Sequence, residues 1–327
     1  MKFKEKPFMR KISLYIFVVV FLSNGFAAQD GQVEYRKFSW TQGNDPKFDP
    51  TIEKPSFSKN KGPKILVDIG HHNFLPKYGF LKPFSDLAEA DGYRVAFDSA
   101  SFSKGYLDQF DIVMIMTALP FEFSTKNEVT NELTFALSEI DSVVNWVKEG
   151  GSLIVFSEHA PFDQAINPLL NQFGINSSIG YTIDSQNYDK KSGRKSWIVF
   201  SKDNELLNIS HKLITGQTPS ERVESVHTYG GSALTGAAYE NIFKLSKSAE
   251  NTQHPTGVGP IGKGDSQCLA GKFGKGKILA LADANGFAAM MFKDNDGSSV
   301  SSGMAQNGYH WKQFVLNSLH WLTEASE

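Results

Sequence analysis

Short apolar runs that end in polar residues alternate with helix-like segments along the chain, and this alternation constrains the fold more than any other feature. The first run, residues 65–67, is apolar throughout and leads into Asp68. Such a run is typical of a strand buried on both faces of a parallel sheet. Further strands are predicted at residues 94–97, 112–116, 152–156 and 277–281. The rhythm predicts an α/β fold, a parallel sheet with helices on both faces.

Helical spacing of apolar residues appears between these strands. Helices are predicted at residues 83–90, 125–148 (at least from Leu133), 163–173 and 311–322. Between about 175 and 265 the rhythm breaks, and Ser, Asn, Gly and Lys become frequent. This stretch holds short β-like pieces such as residues 197–200. We expect an inserted loop and β region, partly antiparallel, over the edge of the sheet.

The start of the chain is typical of a secretion signal. A basic segment precedes an apolar stretch at residues 12–22, and Gly25 and Ala27 supply the small residues that a signal peptidase reads. Residues 1–28 are therefore predicted to be a signal peptide, with an uncleaved anchor as the alternative. Residues 29–63 would form an extended arm, and residues 64–325 the α/β domain. The mature protein would be periplasmic or secreted, with no membrane contact after cleavage.

Composition and charge narrow the function classes. Hydrophobic residues make up 40% of the chain and aromatic residues 13%, enough to fill a sizeable core. The formal net charge of −2 leaves no basic footprint for a nucleic acid. Cys268 is the only cysteine, which excludes an intrachain disulfide and a cysteine-based zinc site. We expect it to be a small buried residue. The oligomeric state stays open.

The candidate site residues are polar or ionisable side chains placed just past a strand end. They are Asp68, His71, His72, Asn73, Ser157, Glu158, His159, Asp283 and Asn285. In open α/β sheets, ligands bind at the carboxyl ends of the strands. Histidine titrates near neutrality, and a carboxylate beside an imidazole supplies either a base with its orienting partner or two metal ligands. The alternative is that these side chains cap turns or are solvated.

The other histidines are interpreted as structural or as surface residues. His227 is expected to be structural. His310 and His320 fall in the predicted C-terminal helix as packing or surface residues, and His211 and His254 are expected to be exposed.

Two motif matches carry no function, and a third motif is absent. Residues 257–263 fit G-x-x-x-x-G-K, but Gly264 stands where a phosphate-binding loop needs Ser or Thr. Residues 294–297 hint at a calcium loop without its alternating ligands, which favours a turn. There is no G-x-S-x-G nucleophile elbow.

Several short motifs together resemble the DUF4350 family over about residues 64–323. They are VDIGHHNF at residues 67–74, KPF at 82–84, DGYRV at 91–95, VKEGGSL at 147–153, HAPF at 159–162, GSA at 231–233 and NSLHWL at 317–322. The resemblance implies a flavodoxin-like fold of the class I glutamine amidotransferase type.

Amidotransferase chemistry itself is not expected. It needs a cysteine in the turn after the strand that ends near Phe156, where this chain has Ser157, Glu158 and His159. Cys268 lies far along the chain. A Ser157 nucleophile with His159 as its base is the alternative, but neighbours in a loop rarely form such a pair.

Secreted relatives of that family are similar to partners of unsaturated-uronyl hydrolases in marine polysaccharide breakdown, which implies oligosaccharides with uronic acids, as in ulvan. The predicted enzyme is a carbon–oxygen lyase, an oligosaccharide dehydratase or lyase that works by β-elimination. The candidate catalytic residues are His71, His72, Glu158 and His159. The candidate substrate-binding residues are Asn73, Asp283, Asn285 and Arg222. No cofactor is required, and a divalent metal held by Asp68, His71, Glu158 and His159 stays open.

The alternative function belongs to another class. A non-catalytic carbohydrate-binding module of the same pathway would stack sugar rings on aromatic side chains such as Tyr78, Trp197 and Tyr309.

Overall fold

A computed structural model describes residues 32–35, 40–123, 132–255, 257–294 and 297–324 of the 327-residue chain. Several sequence predictions fall wholly or partly outside these ranges. They include the signal peptide at residues 1–28, residues 29–31 and 36–39 of the arm, the first part of the helix predicted from residue 125, and two residues of the turn at 294–297.

Strands and helices alternate in the first half of the chain, and short strands dominate the second half. The strands are β1 (Gln32–Tyr35), β2 (Trp40–Asn44), β3 (Lys64–Asp68), β4 (Arg94–Asp98), β5 (Ile112–Ile115), β6 (Ser152–Phe156), β7 (Asn176–Ser177), β8 (Tyr181–Asp184), β9 (Val199–Ser201), β10 (Ser225–His227), β11 (Leu234–Thr235), β12 (Glu240–Lys244), β13 (Ala249–Thr252), β14 (Ser266–Phe273), β15 (Gly276–Leu281), β16 (Ala289–Asp294) and β17 (Ser299–Gly303). The helices are α1 (Phe74–Lys77), α2 (Lys82–Ala90), α3 (Lys104–Leu107), α4 (Leu137–Glu149), α5 (Phe162–Leu170), α6 (Lys212–Thr215) and α7 (Trp311–Thr323). Short 3₁₀ helices lie at Asn171–Phe173, Pro219–Glu221 and Asn285–Phe287.

Five parallel strands form the centre of the molecule, in the spatial order β4-β3-β5-β6-β15. In chain order this is second, first, third, fourth, fifth, which is the flavodoxin-like arrangement. The residues of β5, β6 and β15 are buried along their whole length, which explains their continuous apolar runs. The predicted α/β, flavodoxin-like fold is confirmed.

Helices cover both faces of this sheet. Side chains alternate between the faces along each strand, so Ile65 and Val67 join one apolar core and Leu66 joins the other. Helices α2 and α7 pack on the first face, and α4 and α5 on the second. Within the described ranges, no helix is long and apolar enough to cross a membrane.

The inserted region extends the sheet by antiparallel pairing. Strand β14 runs antiparallel to β15, and β11, β7 and β12 follow beyond it, so the sheet has nine strands in all. The sequence did not predict β14, because its residues follow a polar, glycine-rich stretch with no helix before them. The inserted β region itself is confirmed, and its strands are two to five residues long up to β13.

The N-terminal arm differs from the extended segment that was predicted. Strand β2 pairs with β16, and β1 and β17 complete a four-stranded antiparallel sheet. The segment after β2 packs on the domain, with the ring of Phe57 edge-on to that of Tyr93 at 5.1 Å. Strands β16 and β17 form a hairpin, and the arm covers the outer edge of β16.

Candidate functional site

Three strand ends on the carboxyl side of the sheet carry residues in the left-handed backbone region. His72 (φ 46°), Thr117 (φ 53°) and Glu158 (φ 54°) follow β3, β5 and β6. For a residue with a side chain this conformation costs roughly 1–2 kcal/mol, and such strain clusters at functional sites. Asn60 and Glu205 share the conformation in loops elsewhere. The backbone strain therefore points to the carboxyl edge of the sheet as the location of the candidate site.

Glu158 lies in the turn after β6 with only 3% of its surface exposed. Its Oε1 accepts a hydrogen bond from the backbone N–H of Ala284 at 2.9 Å, and its Oε2 accepts one from the N–H of His159 at 3.1 Å. Burial nevertheless raises the pKa of the carboxyl to about 7. This side chain can therefore hold or release a proton near neutrality.

Asp283 follows the neighbouring strand β15 and is a second buried acid. Its Oδ2 accepts the N–H of Tyr229 at 2.6 Å, and its Oδ1 accepts the N–H of Asn285 at 3.0 Å. Burial, then the negative charge of Glu158, raise the pKa of Asp283 to about 8. Like charges disfavour double ionisation, so this acid pair retains protons at neutral pH.

His159 connects the acid pair to solvent. Its Nδ1 lies 2.8 Å from the carbonyl oxygen of Ala160, which can only accept, so we assign the ring proton to Nδ1. The other ring nitrogen, Nε2, lies 3.7 Å from Oε2 of Glu158. Burial lowers the pKa of the imidazole, which keeps it neutral at pH 7. Its side chain is 16% exposed, against 5% for that of Glu158.

The inserted region covers His159. The ring of His254 stacks on that of His159 at 4.3 Å with an angle of 13° between the planes. Tyr181 meets His254 edge-on at 5.6 Å and donates its hydroxyl to Ser196 at 2.7 Å. His254 is 2% exposed, so the prediction of an exposed His254 was wrong. The sequence could not show that the insertion folds back over the strand ends.

A group of aromatic side chains forms the wall beside Asp283. His227 is fully buried and stacks on Trp197 at 5.2 Å, with Tyr229 and Tyr309 at 4.4 and 4.3 Å. Its Nε2 bonds to the side-chain oxygen of Gln306 at 2.6 Å. These contacts agree with the structural role expected of His227.

Asp68, His71 and Asn73 come together in a second network. Oδ2 of Asp68 lies 2.8 Å from Nδ1 of His71 and accepts the side-chain amide of Asn73 at 2.7 Å. Nε2 of His71 lies 3.3 Å from Glu139 of helix α4, and its ring packs between Phe102 and Phe135. Burial lowers the pKa of His71, but the Asp68 hydrogen bond and the charges of both carboxylates outweigh it and raise the pKa. Such a network of hydrogen-bonded charges is typical of a structural ion pair.

The two networks have different partners and lie on strands that β5 separates. His71 packs on the side of helices α3 and α4, whereas Glu158 bonds to the segment after β15. The residues after β3 and those after β6 therefore do not form one crevice; the ends of β6 and β15 meet instead, and β3 supplies a separate cluster.

The remaining predicted residues lie apart from the acid pair or support it. His72 is partly exposed, with Nδ1 3.1 Å from Glu122. Asn285 donates its backbone N–H to Asp283 and begins a 3₁₀ helix. Arg222 is exposed, and its chain neighbours bond to Ile214 of α6 and Asn317 of α7.

Neither alternative nucleophile stands in a reactive position. The hydroxyl of Ser157 bonds to that of Ser232 at 2.9 Å, inside the protein. Cys268 lies within β14, fully buried, and burial raises the pKa of its thiol. Glu158 occupies the strained turn where amidotransferase chemistry needs a cysteine.

Three more histidines have structural partners. His211 is 8% exposed, and its Nδ1 accepts the N–H of Leu213 at the start of α6, so the prediction of an exposed His211 was wrong. Nε2 of His320 lies 2.7 Å from Asp91. His310 precedes α7 and bonds to Ser225.

A metal site was left open by the sequence. Across the described part of the chain, no group of three His, Cys, Asp or Glu side chains is arranged to hold a metal ion. The four suggested ligands divide between the two networks described above, with Asp68 and His71 in one and Glu158 and His159 in the other.

A cavity of about 540 Å³ opens at the opposite, amino end of the parallel strands. It is lined in part by Trp146, Gly151 and Lys277, and Nζ of Lys277 donates to the carbonyls of Trp321 and Glu324. Those bonds cap the end of α7. We therefore place the candidate site at the acid pair, where the acid–base groups converge.

Sequence reasoning missed the residues that complete the site. His254, Tyr181 and Tyr229 come from the inserted region. Their residue types were the only signal in the sequence that could have suggested them. The backbone N–H groups of Ala284 and Tyr229, which hold the two acids, leave no signal in a sequence.

Comparison with known proteins supports the fold alone. No family model and no curated protein matches the chain. Among solved structures, the N-terminal domain of mmIFT52 aligns with a TM-score of 0.57 at 12% identity, over 80% of this chain and 99% of that one. A ThuA-like protein from Bacteroides uniformis aligns with a TM-score of 0.40 at 12% identity, over 85% and 95%. Another from Parabacteroides merdae gives 0.42 at 12%, over 82% and 92%.

The resemblance to the DUF4350 family was therefore wrong. No family model supports it, and the structural neighbours are the mmIFT52 domain and ThuA-like proteins. The motifs that suggested it are short and scattered over strand ends, turns and helices, so they mark local structure without identifying a family. The link to ulvan, which depended on that resemblance, is withdrawn with it.

Proposed function

We propose that the protein is an enzyme that transfers protons at the Glu158–His159–Asp283 cluster. The observation that carries this proposal is the environment of Glu158. Its carboxyl is buried, sits in a strained turn at the carboxyl end of β6, has a pKa raised to about 7, and lies 3.7 Å from Nε2 of His159. A neutral imidazole beside a carboxyl that titrates near neutral pH suits general acid–base catalysis.

The roles follow from the two protonation states. His159 is kept neutral by burial, and its Nδ1 proton is engaged with Ala160, so Nε2 acts as the base. Glu158 retains a proton over part of the neutral range and acts as the acid. Asp283, whose pKa is raised to about 8, accepts the N–H groups of Tyr229 and Asn285. It remains protonated beside Glu158 because two like charges at these positions would repel each other.

The reaction proposed is β-elimination next to a carboxylate, as in a uronic acid unit of an oligosaccharide. Nε2 of His159 removes the C5 proton, and the C5–H electron pair forms the C4–C5 double bond. The C4–O bond breaks, and Glu158 protonates the departing oxygen. If a sugar leaves, the enzyme is a lyase; if water leaves, it is a dehydratase. Because acid and base lie side by side, elimination would occur from one face of the ring.

This proposal needs no cofactor for the proton transfers. The substrate class follows from the step proposed, since a carboxylate beside the C–H bond can delocalise the negative charge that develops as the proton is removed, provided that the site stabilises it. A periplasmic or secreted location stays a prediction from residues 1–28.

The test is a time course of ultraviolet absorbance, because elimination creates a conjugated enoate. Saturated uronic acid oligosaccharides are mixed with wild type, Glu158→Gln and His159→Ala, with and without a chelator. We expect a rising signal that falls at least about 100-fold in either variant. Glu149→Gln is the control, since Glu149 is an exposed partner of Lys104. A flat wild-type trace across the substrates would refute the elimination.

The second candidate is a non-catalytic carbohydrate-binding module. It is favoured by the aromatic group near the site, but Trp197 is 5% exposed and its ring already contacts His227 and Arg194. Binding that survives His159→Ala and is lost in Tyr78→Ala and Tyr309→Ala, with no enoate formed by wild type, would favour this module.

A further inference from the structure

Four cations project from one short loop in the inserted region. Residues 190–195, here the basic loop, connect β8 to β9 and have the sequence KKSGRK. Lys190, Lys191, Arg194 and Lys195 are all exposed. The whole chain is slightly acidic, at −2, so a cluster of four positive charges in six residues is a local feature of this surface.

Backbone hydrogen bonds close the loop at both ends. The N–H of Asp184 donates to the carbonyl of Lys195 at 2.8 Å, and the N–H of Asp189 donates to that of Trp197 at 2.8 Å. The buried carboxylate of Asp189 also holds the loop, because its Oδ2 accepts the N–H of Ser192 at 3.0 Å. Burial raises the pKa of Asp189, but hydrogen bonds from Ser192 outweigh it and lower the pKa, so this carboxylate stays charged across the neutral range.

Arg194 is fixed by its own stacking contact. Its guanidinium lies over the ring of Trp197 at 4.6 Å, and its carbonyl accepts the N–H of Trp197 at 3.0 Å. Stacking engages the face of a guanidinium, whereas its N–H donors lie in the plane and point outward from the edge. This arrangement directs donors across the surface of the loop, in the geometry that suits a carboxylate.

Two chains of contacts join this loop to the acid pair. Trp197 meets Tyr229 at 5.2 Å, and the N–H of Tyr229 binds Asp283. On the other side, Ser196 bonds to Tyr181, whose ring meets His254, which stacks on His159.

The pKa of Tyr181 is influenced by charges from both the basic loop and the acid pair. Burial raises the pKa of its hydroxyl, the charge of Arg194 lowers it, and the charges of Asp283 and Glu158 raise it again. Tyr181 therefore lies within electrostatic reach of both the loop and the acid pair, which sets the two features on the same side of the molecule.

We propose that Arg194, stacked on Trp197 in the basic loop, is the subsite that binds a carboxylate of the substrate beside the acid pair. This inference rests on the proposed function and names its substrate class, a carboxylate-bearing oligosaccharide. The acid pair supplies no cation for such a substrate, and the basic loop does. A cation on the carboxylate also stabilises the negative charge that develops when the neighbouring proton is removed.

The test is binding, which can be measured whether or not the protein reacts. Trigalacturonate and its fully methyl-esterified form differ in charge but share the same ring hydroxyls. Their affinities are measured by titration calorimetry with wild type, Arg194→Ala, Arg194→Lys and Lys272→Ala. Lys272 is an exposed lysine on β14, opposite Lys277 at the far end of β15, and it is the matched control. Thermal unfolding of each variant checks that it folds.

We expect wild type and Lys272→Ala to prefer the acid over the ester. Arg194→Ala should bind trigalacturonate about tenfold more weakly and leave the ester unchanged, with Arg194→Lys between them, because a charged hydrogen bond is lost. Equal weakening of acid and ester, no effect of Arg194→Ala, or no saturable binding of trigalacturonate by wild type would each overturn the subsite.

The two proposals fail in different ways. Selective, Arg194-dependent binding without any enoate formed would support the subsite and reject the elimination. Enoate formation by wild type with unchanged binding in Arg194→Ala would do the reverse.

Discussion

At the scale of single residues, two histidines that follow strands on either side of β5 have opposite electrostatic settings. His71 lies between Asp68 and Glu139, which raise its pKa against the effect of burial. His159 is buried beside acids that hold protons, and burial lowers its pKa. A charged His71 therefore suits a structural ion pair, whereas a neutral His159 suits a base.

Removing His71 should destabilise the fold strongly. His71→Ala leaves Asp68, which is fully buried, and Glu139 without their cation, and we expect a loss of about 3 kcal/mol in the free energy of unfolding. His72→Ala is the control and should cost less than about 1 kcal/mol, because His72 pairs with Glu122 at the surface. Urea unfolding measures both.

The same pair has a defined pH dependence. The pKa of His71 is raised in the folded state, so its stabilisation is complete below the unfolded value of 6.5 and is lost as the pH rises through the folded value. The loss of unfolding free energy caused by His71→Ala should therefore become smaller as the pH rises through the folded pKa. A deficit that stays constant, or one no larger than that of His72→Ala, would contradict the ion-paired role.

The raised pKa of Glu158 predicts how the free energy of unfolding changes with pH. Between its ordinary pKa of 4.5 and the raised value of about 7, the folded protein holds a proton that the unfolded chain has released. The difference in unfolding free energy between wild type and Glu158→Gln should therefore fall as the pH rises across this window. At about 1.4 kcal/mol per pKa unit, the fall should be a few kcal/mol.

Chemical unfolding at several pH values between those limits tests this expectation. Glu149→Gln, at an exposed carboxyl, serves as the control and should parallel the wild type. Parallel curves for wild type and Glu158→Gln would show that the burial of Glu158 does not perturb its titration.

At the scale of elements, the turn after β6 stores backbone strain. Glu158 adopts φ 54°, a conformation that glycine accepts without the steric cost of a Cβ atom. The strand holds this turn in place, because the N–H of Ser157 donates to the carbonyl of Leu281 and Oε1 of Glu158 accepts from Ala284. The strain therefore fixes where the acid points.

Two substitutions isolate that strain. Glu158→Ala and Glu158→Gly both remove the carboxyl. The difference between their free energies of unfolding therefore reports on the backbone conformation. We expect Glu158→Gly to be more stable than Glu158→Ala by about 1 kcal/mol, the reverse of the order at an ordinary position. At Gly105 of α3, where an added Cβ meets nothing within 4 Å, alanine should instead be the more stable residue. Equal thermal stability of the two Glu158 variants would argue against a strained turn.

The elements were also where sequence reasoning succeeded most. The strand at residues 152–156 was predicted with its true bounds, and the C-terminal helix was predicted within one residue, because continuous apolar runs and helical spacing are local signals. The hairpin β16–β17 and the strand β14 were missed, because their pairing depends on partners elsewhere in the chain. For the same reason, the meeting of Glu158 with Asp283 could be expected from strand ends, but the cover supplied by His254 could not.

At the scale of the whole molecule, the N-terminal arm completes the fold. Strand β2 pairs with β16, the N–H of Ser56 binds Asp91 at 2.6 Å, and Gly62 pairs with Gly92. The arm thereby covers an edge of the small sheet and one end of the large one. An uncovered edge strand invites pairing with other molecules.

Two truncations test the role of the arm. A chain that begins at residue 40 keeps β2 and should remain folded, with a modest drop in the melting temperature from the loss of β1. A chain that begins at residue 63 loses β2 and the contact of Phe57 with Tyr93, and it should unfold at least about 10 °C lower or aggregate. Melting curves and light scattering measure both, and equal behaviour of the two truncations would reject this role.

The acid pair is joined by bonds between distant parts of the chain, and this has a consequence for the order of folding. Glu158 and Ala284 are 126 residues apart, and Tyr229 and Asp283 are 54 apart. The parallel strands β3 to β6 close over shorter stretches. Because distant contacts cost more entropy to close, the sheet can form before its carboxyl edge is assembled. A refolding chain would then form its central strands first and bring Glu158 and Asp283 together last.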